Sequence, residues 1–217
     1  MIIPAYNTIF SRVNTSGAAG AFEYTAIDNN FSMEFDGVDD KISTPTINLG
    51  LENTISFWAK SDGTNFNGMV LGGIVQSNYY TVFATSVNNL LYRVGSAANS
   101  FNDADIIAAL GSGNWFHCAL VRNNSGADVL CYINGVLKQT ITGIVGSAND
   151  TIIQDIGARS INDFYIRGTL DEIAGWNTTL SEGTIEAIYN TTNDNPGKAA
   201  DLSETPEGMP LAWYRFE

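Results

Sequence analysis

The sequence predicts an all-β protein, a jelly-roll sandwich of two antiparallel sheets with one short helix. Three observations predict it. Short apolar runs rich in Val, Ile, Phe, Tyr and Thr recur along the 217 residues, broken by Gly, Asn, Asp and Ser, as strands joined by tight turns would be. The runs do not alternate with long amphipathic segments, which parallel βαβ units require. The pair Asn134-Gly135 lies between "VLCYI" and "VLKQTIT", and Asn-Gly tolerates the positive φ that a two-residue hairpin turn demands. The length suits one large domain.

Taken in order, residues 1–30 read as an N-terminal arm, with "TSGAAGA" at 15–21 and apolar contact area at Ile2, Ile3, Tyr6, Ile9 and Phe10. The sandwich is expected over 31–190. In "SMEFDGVDDKIS", Met33 and Phe35 alternate with Glu34 and Asp36, Gly37 supplies a turn, and Ile42 returns to the core. The runs "TISFWAKS", "GMVLGGIVQ", "YYTVFAT" and "NLLYRVG" follow as strands. "WFHCALVRN" and "DVLCYING" form a hairpin through "NNSG". A turn centred between Asn124 and Ser125 opposes Cys118 to Cys131, Phe116 to Ile133 and Leu120 to Val129, which gathers one apolar face. Both cysteines then read as small, reduced core residues. In "LDEIAGW" simple alternation puts Asp171 and Glu172 on opposite faces of a strand. The one helix is "SEGTIEAIYN", 181–190, capped by Ser181, with Ile185, Ile188 and Tyr189 at helical spacing. Residues 191–217 hold Pro196 and Pro206 and read as a tether leading to a last strand, "PLAWYRFE".

Composition narrows the partners. Net charge is −13, from 23 acids against 10 bases, and the lysines are Lys41, Lys60, Lys138 and Lys198. Such a surface repels nucleic acid and anionic membrane. No apolar run approaches the ~20 residues of a membrane helix, and the first residues lack the basic start and apolar stretch of a secretory signal. Sequons such as Asn14, Asn30, Asn123 and Asn177 are then compositional. His117 has no partners in sequence from which to build a zinc site.

The order of "SMEFDGVDDKIS", "TISFWAK", "NWFHCALVRN", "CYINGVL" and "IRGTLDEIAGWNTTLSEGTIEAIYN" resembles the laminin G-like branch of the concanavalin A-like lectin/glucanase superfamily, over about residues 31–190. The tail "NDNPGKAADLSETPEGMPLAWYRFE" is similar to the ends of such domains in tailed-phage structural proteins. The resemblance implies a concanavalin A-like sandwich, and a calcium site at its rim is common in laminin G-like domains.

The candidate sites follow. Asp36, Asp39 and Asp40 have two readings. One is a turn in which the carboxylates bond nearby backbone N–H groups. The other is a hard-cation site completed by Asp171, since calcium takes 6–8 oxygens. For a glycan, Asn78, Tyr79 and Tyr80 offer an outward ring beside an amide, and Trp176 a further ring. Trp58, Trp115 and Trp213 read as packing residues, and His117 as a hydrogen-bonded structural histidine. Catalysis is not expected. The glucanase branch uses an alternating Glu-x-Asp-x-(x)-Glu strand, "DADIIAA" at 103–109 lacks its glutamate, and opposed Asp171 and Glu172 cannot supply the paired carboxyls of a glycosidase. The expectation is a non-enzymatic phage virion structural protein, a capsid decoration or tail-fibre module with a lectin-like sandwich. It would be made in the host cytoplasm, homo-oligomeric, and joined to other virion subunits through the arm or tail. The alternative is a carbohydrate-binding module of a bacterial surface or secreted protein, with calcium as its one candidate cofactor.

Overall fold

The computed structural model describes residues 22–62, 66–73, 82–84, 89–94, 97–144, 148–159, 163–194 and 198–216. The strands are β1 (Ala26–Asp28), β2 (Met33–Asp36), β3 (Ile42–Gly50), β4 (Asn53–Lys60), β5 (Gly68–Gly72), β6 (Val82–Ala84), β7 (Leu90–Val94) and β8 (Ala97–Phe101). After helix α1 (Ala104–Gly111) come β9 (Trp115–Asn123), β10 (Asp128–Ile133), β11 (Val136–Ile141), β12 (Thr151–Ile156) and β13 (Arg167–Trp176). Helix α2 (Glu182–Asp194), β14 (Lys198–Ala200) and β15 (Ala212–Tyr214) end the chain.

Two antiparallel sheets form the sandwich. One has seven strands in the order β11-β10-β9-β4-β13-β15, with β2 also on β13, and the other has six, β3-β12-β5-β6-β7-β8. A separate ribbon pairs β1 with β14. Between the sheets, Ile55, Phe57, Phe116, Cys118 and Leu120 meet Leu49, Val70, Leu71 and Tyr92. The outer face of the seven-stranded sheet is also covered. Ala119, Val121, Ala174 and Trp176 pack there against Leu180, Ile185 and Ile188. A strand covered on both faces loses the clean buried/exposed alternation. Accordingly, Asn53 to Phe57 of β4 are buried without a break.

The Asn134-Gly135 hairpin forms as its residues dictate, with φ of 50° and 77° and Ile133 paired to Val136. Ser181 starts α2, its hydroxyl accepting the Thr184 N–H at 3.2 Å. The helix runs four residues beyond the expected Asn190. Two features differ from expectation. The first is α1, a second helix over a segment read as alternating. The Asp103 carboxylate caps it by accepting the Asp105 N–H at 2.9 Å, and Ile106 and Leu110, one turn apart, are buried. The second is the β9–β10 register. Asn123 pairs with Asp128, so Cys118 faces Ile133 and Leu120 faces Cys131. The loop holds four residues because Asn124, Ser125 and Gly126 all take positive φ, which moves its centre one residue on. The shift of two positions keeps every side chain on its predicted face. Cys118 and Cys131 are therefore free and buried, on neighbouring strands, and burial pushes the Cys131 thiol up.

Candidate functional site

On the outer face of the seven-stranded sheet, one row of side chains crosses three strands. His117 of β9 pairs with Trp58 of β4, and Trp58 pairs with Asp171 of β13. Beyond Asp171 the ladder is interrupted and resumes at Ala174 opposite Ser56. Glu172 and Ile173 thus face Phe57 alone, a β-bulge. Glu172 takes the left-handed φ of 48°, a conformation that costs a non-glycine residue of order 1–3 kcal/mol.

The bulge overturns the opposite-face expectation for Asp171 and Glu172. Both carboxylates accept a hydrogen bond from the same Asn29 Nδ2, Asp171 at 3.3 Å and Glu172 more closely. Ile173 turns inward and Trp176 turns toward α2, the reverse of an unbulged strand. The edge of β13 is shared, since β2 covers Arg167 to Leu170 and β15 covers Ile173 to Gly175. The acidic pair occupies the break between them. Glu172 is held there by the Trp213 indole N–H at 2.6 Å and by Arg215 at 3.3 Å. The Arg215 guanidinium lies 4.9 Å from the centre of the Trp213 ring. Burial pushes the Asp171 carboxyl up to about 6, against the bonds it accepts from the Glu172 N–H and Asn29. Burial also raises Glu172, partly offset by Trp213 and Asn29.

Beside the pair opens a hollow of about 510 Å³, walled by Phe31, Trp58, Trp115 and Tyr189 with Asp171 and Glu172 on its polar side. Phe31 is 66% exposed and Trp115 40% exposed. Trp58 stacks on Tyr189 of α2 at 5.9 Å between ring centres, with His117 at 5.4 Å from Trp58. Trp58 and Trp115 are therefore not inter-sheet packing residues, as expected from the sequence, but walls of an open hollow. The signal was present. Thr54, Ser56, Trp58 and Lys60 share one phase of β4, and Ile55, Phe57 and Ala59 the other. His117 is structural, fully buried, 2.7 Å from the Ser56 hydroxyl through Nε2. Burial drives its pKa down to about 3, so it stays neutral at ordinary pH.

The other candidates fall elsewhere. Asn78, Tyr79 and Tyr80 lie outside the described residues. Trp176 is fully buried under α2 and offers no face to a sugar, so its glycan-binding expectation is corrected. Asp36, Asp39 and Asp40 do come together, their carboxylate oxygens within 4.8 Å of one another and exposed. Asp171 does not join them. It stands four residues along β13 from Arg167, the partner of Asp36, roughly 13 Å at strand rise. Two of the three carboxylates already serve the turn. Asp36 accepts the Val38 N–H at 2.7 Å and Asp40 accepts the Asp36 N–H at 3.0 Å. This donor set falls short of the oxygens calcium takes. Calcium or a chelator is expected to leave the melting temperature unchanged. A calcium-dependent rise of several degrees, lost in Asp39→Ala, would establish a cation site instead.

A family profile described as concanavalin A-like lectin/glucanases superfamily, of laminin G type, matches residues 36–186. The chain belongs to this superfamily. No curated protein matches it in sequence. Among solved structures, this laminin G-like domain is similar to a native heptameric SAP-like pentraxin from Limulus polyphemus, at 14% identity and TM-score 0.56 over 84% of this chain and 91% of that one. It is also similar to a "putative carbohydrate binding protein" from Bacteroides ovatus, at 12% identity and TM-score 0.58, over 89% of this chain and 52% of that one. A third likeness is to the K499G mutant of NanB sialidase from Streptococcus pneumoniae, at 17% identity and TM-score 0.54, over 75% of this chain but 28% of that one. These likenesses establish the lectin-like fold of the laminin G-like domain. In the described residues no helix is long and apolar enough to cross a membrane.

Proposed function

We propose that this laminin G-like domain is a non-enzymatic glycan-binding module whose sugar site is the hollow beside Trp58 and Trp115. The observation that carries the reading is the joining of exposed aromatic faces to buried hydrogen-bond acceptors in one open hollow. A pyranose ring has apolar C–H faces that pack on aromatic rings, and hydroxyls that donate to carboxylates. Binding rather than hydrolysis is supported by the partners of Glu172. Trp213, Arg215 and Asn29 all converge on its carboxylate, so its oxygens are committed to anchoring the last strand.

Glycan-array screening and calorimetry test the reading. Trp115→Ala should leave the fold intact, because the ring is partly exposed. It should weaken sugar binding by roughly tenfold or more, the equivalent of the 1.5–3 kcal/mol gained on burying a large apolar side chain. Absence of binding to any array glycan would sink the proposal.

The proposal extends to the particle. The domain is a capsid decoration or tail-fibre module of a phage virion, homo-oligomeric, its terminal segments gripping neighbouring subunits. The support is the tail motif together with exposed Met209 and Leu211 beside β15, apolar area suited to a subunit contact. Mass spectrometry of purified virions tests this half independently of the sugar site. A free bacterial surface or secreted module is the alternative that a negative result would favour.

A further inference from the structure

Trp115 borders a second hollow. A space of about 420 Å³ opens between α1 and the β10–β11 hairpin, lined by Ala108, Ser112, Asn114, Val136 and Lys138 as well as Trp115. Both spaces fall within the range of small-ligand sites, ~300–1,000 Å³. Each combines an apolar surface with polar groups at its edge. In the first, Asp171 and Glu172 face the rings. In the second, Asn114, Ser112 and the Lys138–Asp105 ion pair, 2.7 Å apart, border Val136 and Ala108. Trp115 is common to the walls of both.

The geometry points to one continuous binding groove for a neutral oligosaccharide, with Trp115 dividing two subsites that each hold part of the chain. The inference rests on the glycan-binding reading and goes beyond it by assigning the second subsite and the ligand class. A linear ligand passes Trp115, which contributes to both subsites. The ligand is uncharged because acids line both ends. Asp171 and Glu172 border the first subsite and Asp105 the second, on a chain of net charge −13, and Lys198, also on the first hollow's wall, is paired with Asp28. Lys138 is engaged with Asp105 and leaves no strong attraction for an anion. Sialylated or sulfated glycans therefore meet like charge.

Calorimetry with neutral homo-oligosaccharides, the cello-, chito- and manno- series from disaccharide to hexasaccharide, tests the groove. In the series that binds, affinity should rise by roughly tenfold or more, about 1.4 kcal/mol, between the disaccharide and the longest chain. Ala108 lies exposed on α1, so Ala108→Trp fills the second subsite without disturbing the core. In that variant the longest chain should bind no better than the disaccharide, with disaccharide affinity unchanged. A disaccharide that binds as tightly as the hexasaccharide, or a length gain that survives Ala108→Trp, would overturn the second subsite and leave the glycan-binding reading standing. Sialylated or sulfated oligosaccharides that bind as well as neutral ones would overturn the ligand class. No binding in any of these series would overturn the groove and its neutral ligand class, while the glycan array decides the reading beneath it.

Discussion

Replacing Arg122 with alanine is expected to destabilise the fold by about 3–5 kcal/mol, from buried acceptors left without a donor at about 1–3 kcal/mol each and from the cavity left behind. Arg122 is fully buried, as are Asn53, Tyr92 and Thr151 around it. Its guanidinium donates to the Gly126 carbonyl at 3.0 Å, the Asn149 carbonyl at 2.7 Å and the Thr151 hydroxyl at 3.2 Å. The same hydroxyl lies 2.6 Å from the Tyr92 hydroxyl and accepts from Asn53 at 2.9 Å. The network joins β9 and β4 of one sheet to β12 and β7 of the other, at the end of the sandwich where the β9–β10 turn closes. Alanine leaves several buried acceptors short of a donor and a cavity where the side-chain stem packed. Arg122→Met keeps most of the stem and should recover part of the loss. Denaturant unfolding of the three proteins measures both effects. A loss below about 1 kcal/mol in Arg122→Ala would mean that water enters and replaces the arginine.

The second large effect is a pair of opposed pH dependences. His117 has a folded pKa of about 3 against an ordinary 6.5. The unfolded chain takes up its proton below 6.5 while the folded chain refuses it. That contribution to stability is complete above 6.5 and is lost as pH falls toward 3, at up to about 1.4 kcal/mol per pH unit. Asp171 works the other way. Its folded pKa of about 6 stands above the ordinary 3.8. The folded chain keeps a proton that the unfolded chain releases. Its contribution is complete below 3.8 and is lost as pH rises through about 6, with a smaller slope because the group is partly screened by solvent. Glu172, also raised, adds to Asp171. Wild-type stability should therefore change little from about pH 6 to about pH 4. Asp171→Asn removes one of the two opposing groups and leaves Glu172, so stability should then fall over that interval, by at most roughly 2 kcal/mol. His117→Gln should do the reverse, with stability rising on acidification. Urea unfolding at intervals across the range reads all three curves. Parallel curves for the three proteins would show that neither group is shifted in the folded state.

Much of the architecture was legible in the residues. Alternation in "WFHCALV" set the inward face of β9, with Phe116, Cys118 and Leu120 on it. Asn134-Gly135 set a hairpin whose two positive φ values few other pairs tolerate. Ser181 with Ile185 and Ile188 set the start and buried stripe of α2. These features depend on the backbone preferences of a few adjacent residues, so adjacent residues determine them. The aspartate-rich turn belongs here too, since Asp36 and Asp40 satisfy N–H groups within four residues of themselves.

The acidic site was decided elsewhere. Period-two reasoning put Asp171 and Glu172 on opposite faces, and nothing within "LDEIAGW" signals the extra residue that reunites them. The bulge is supported by groups remote in sequence. Asn29 reaches the pair from one end of the chain, and Trp213 and Arg215 from the other. The same bulge carried Trp176 from the inter-sheet face, where period-two alternation places it, to the buried seam beneath α2. Trp58 and Trp115 became walls of an open hollow because α2 covers only part of the outer sheet face, and its Tyr189 and Thr192 border the space beside them. Sequence alone determined most of the strands, the Asn134-Gly135 turn and the start of α2, since neighbouring residues act there over one or two peptide units. Only the tertiary structure decided the site, because a bulged, left-handed Glu172 persists only when bonds from distant segments offset its strain.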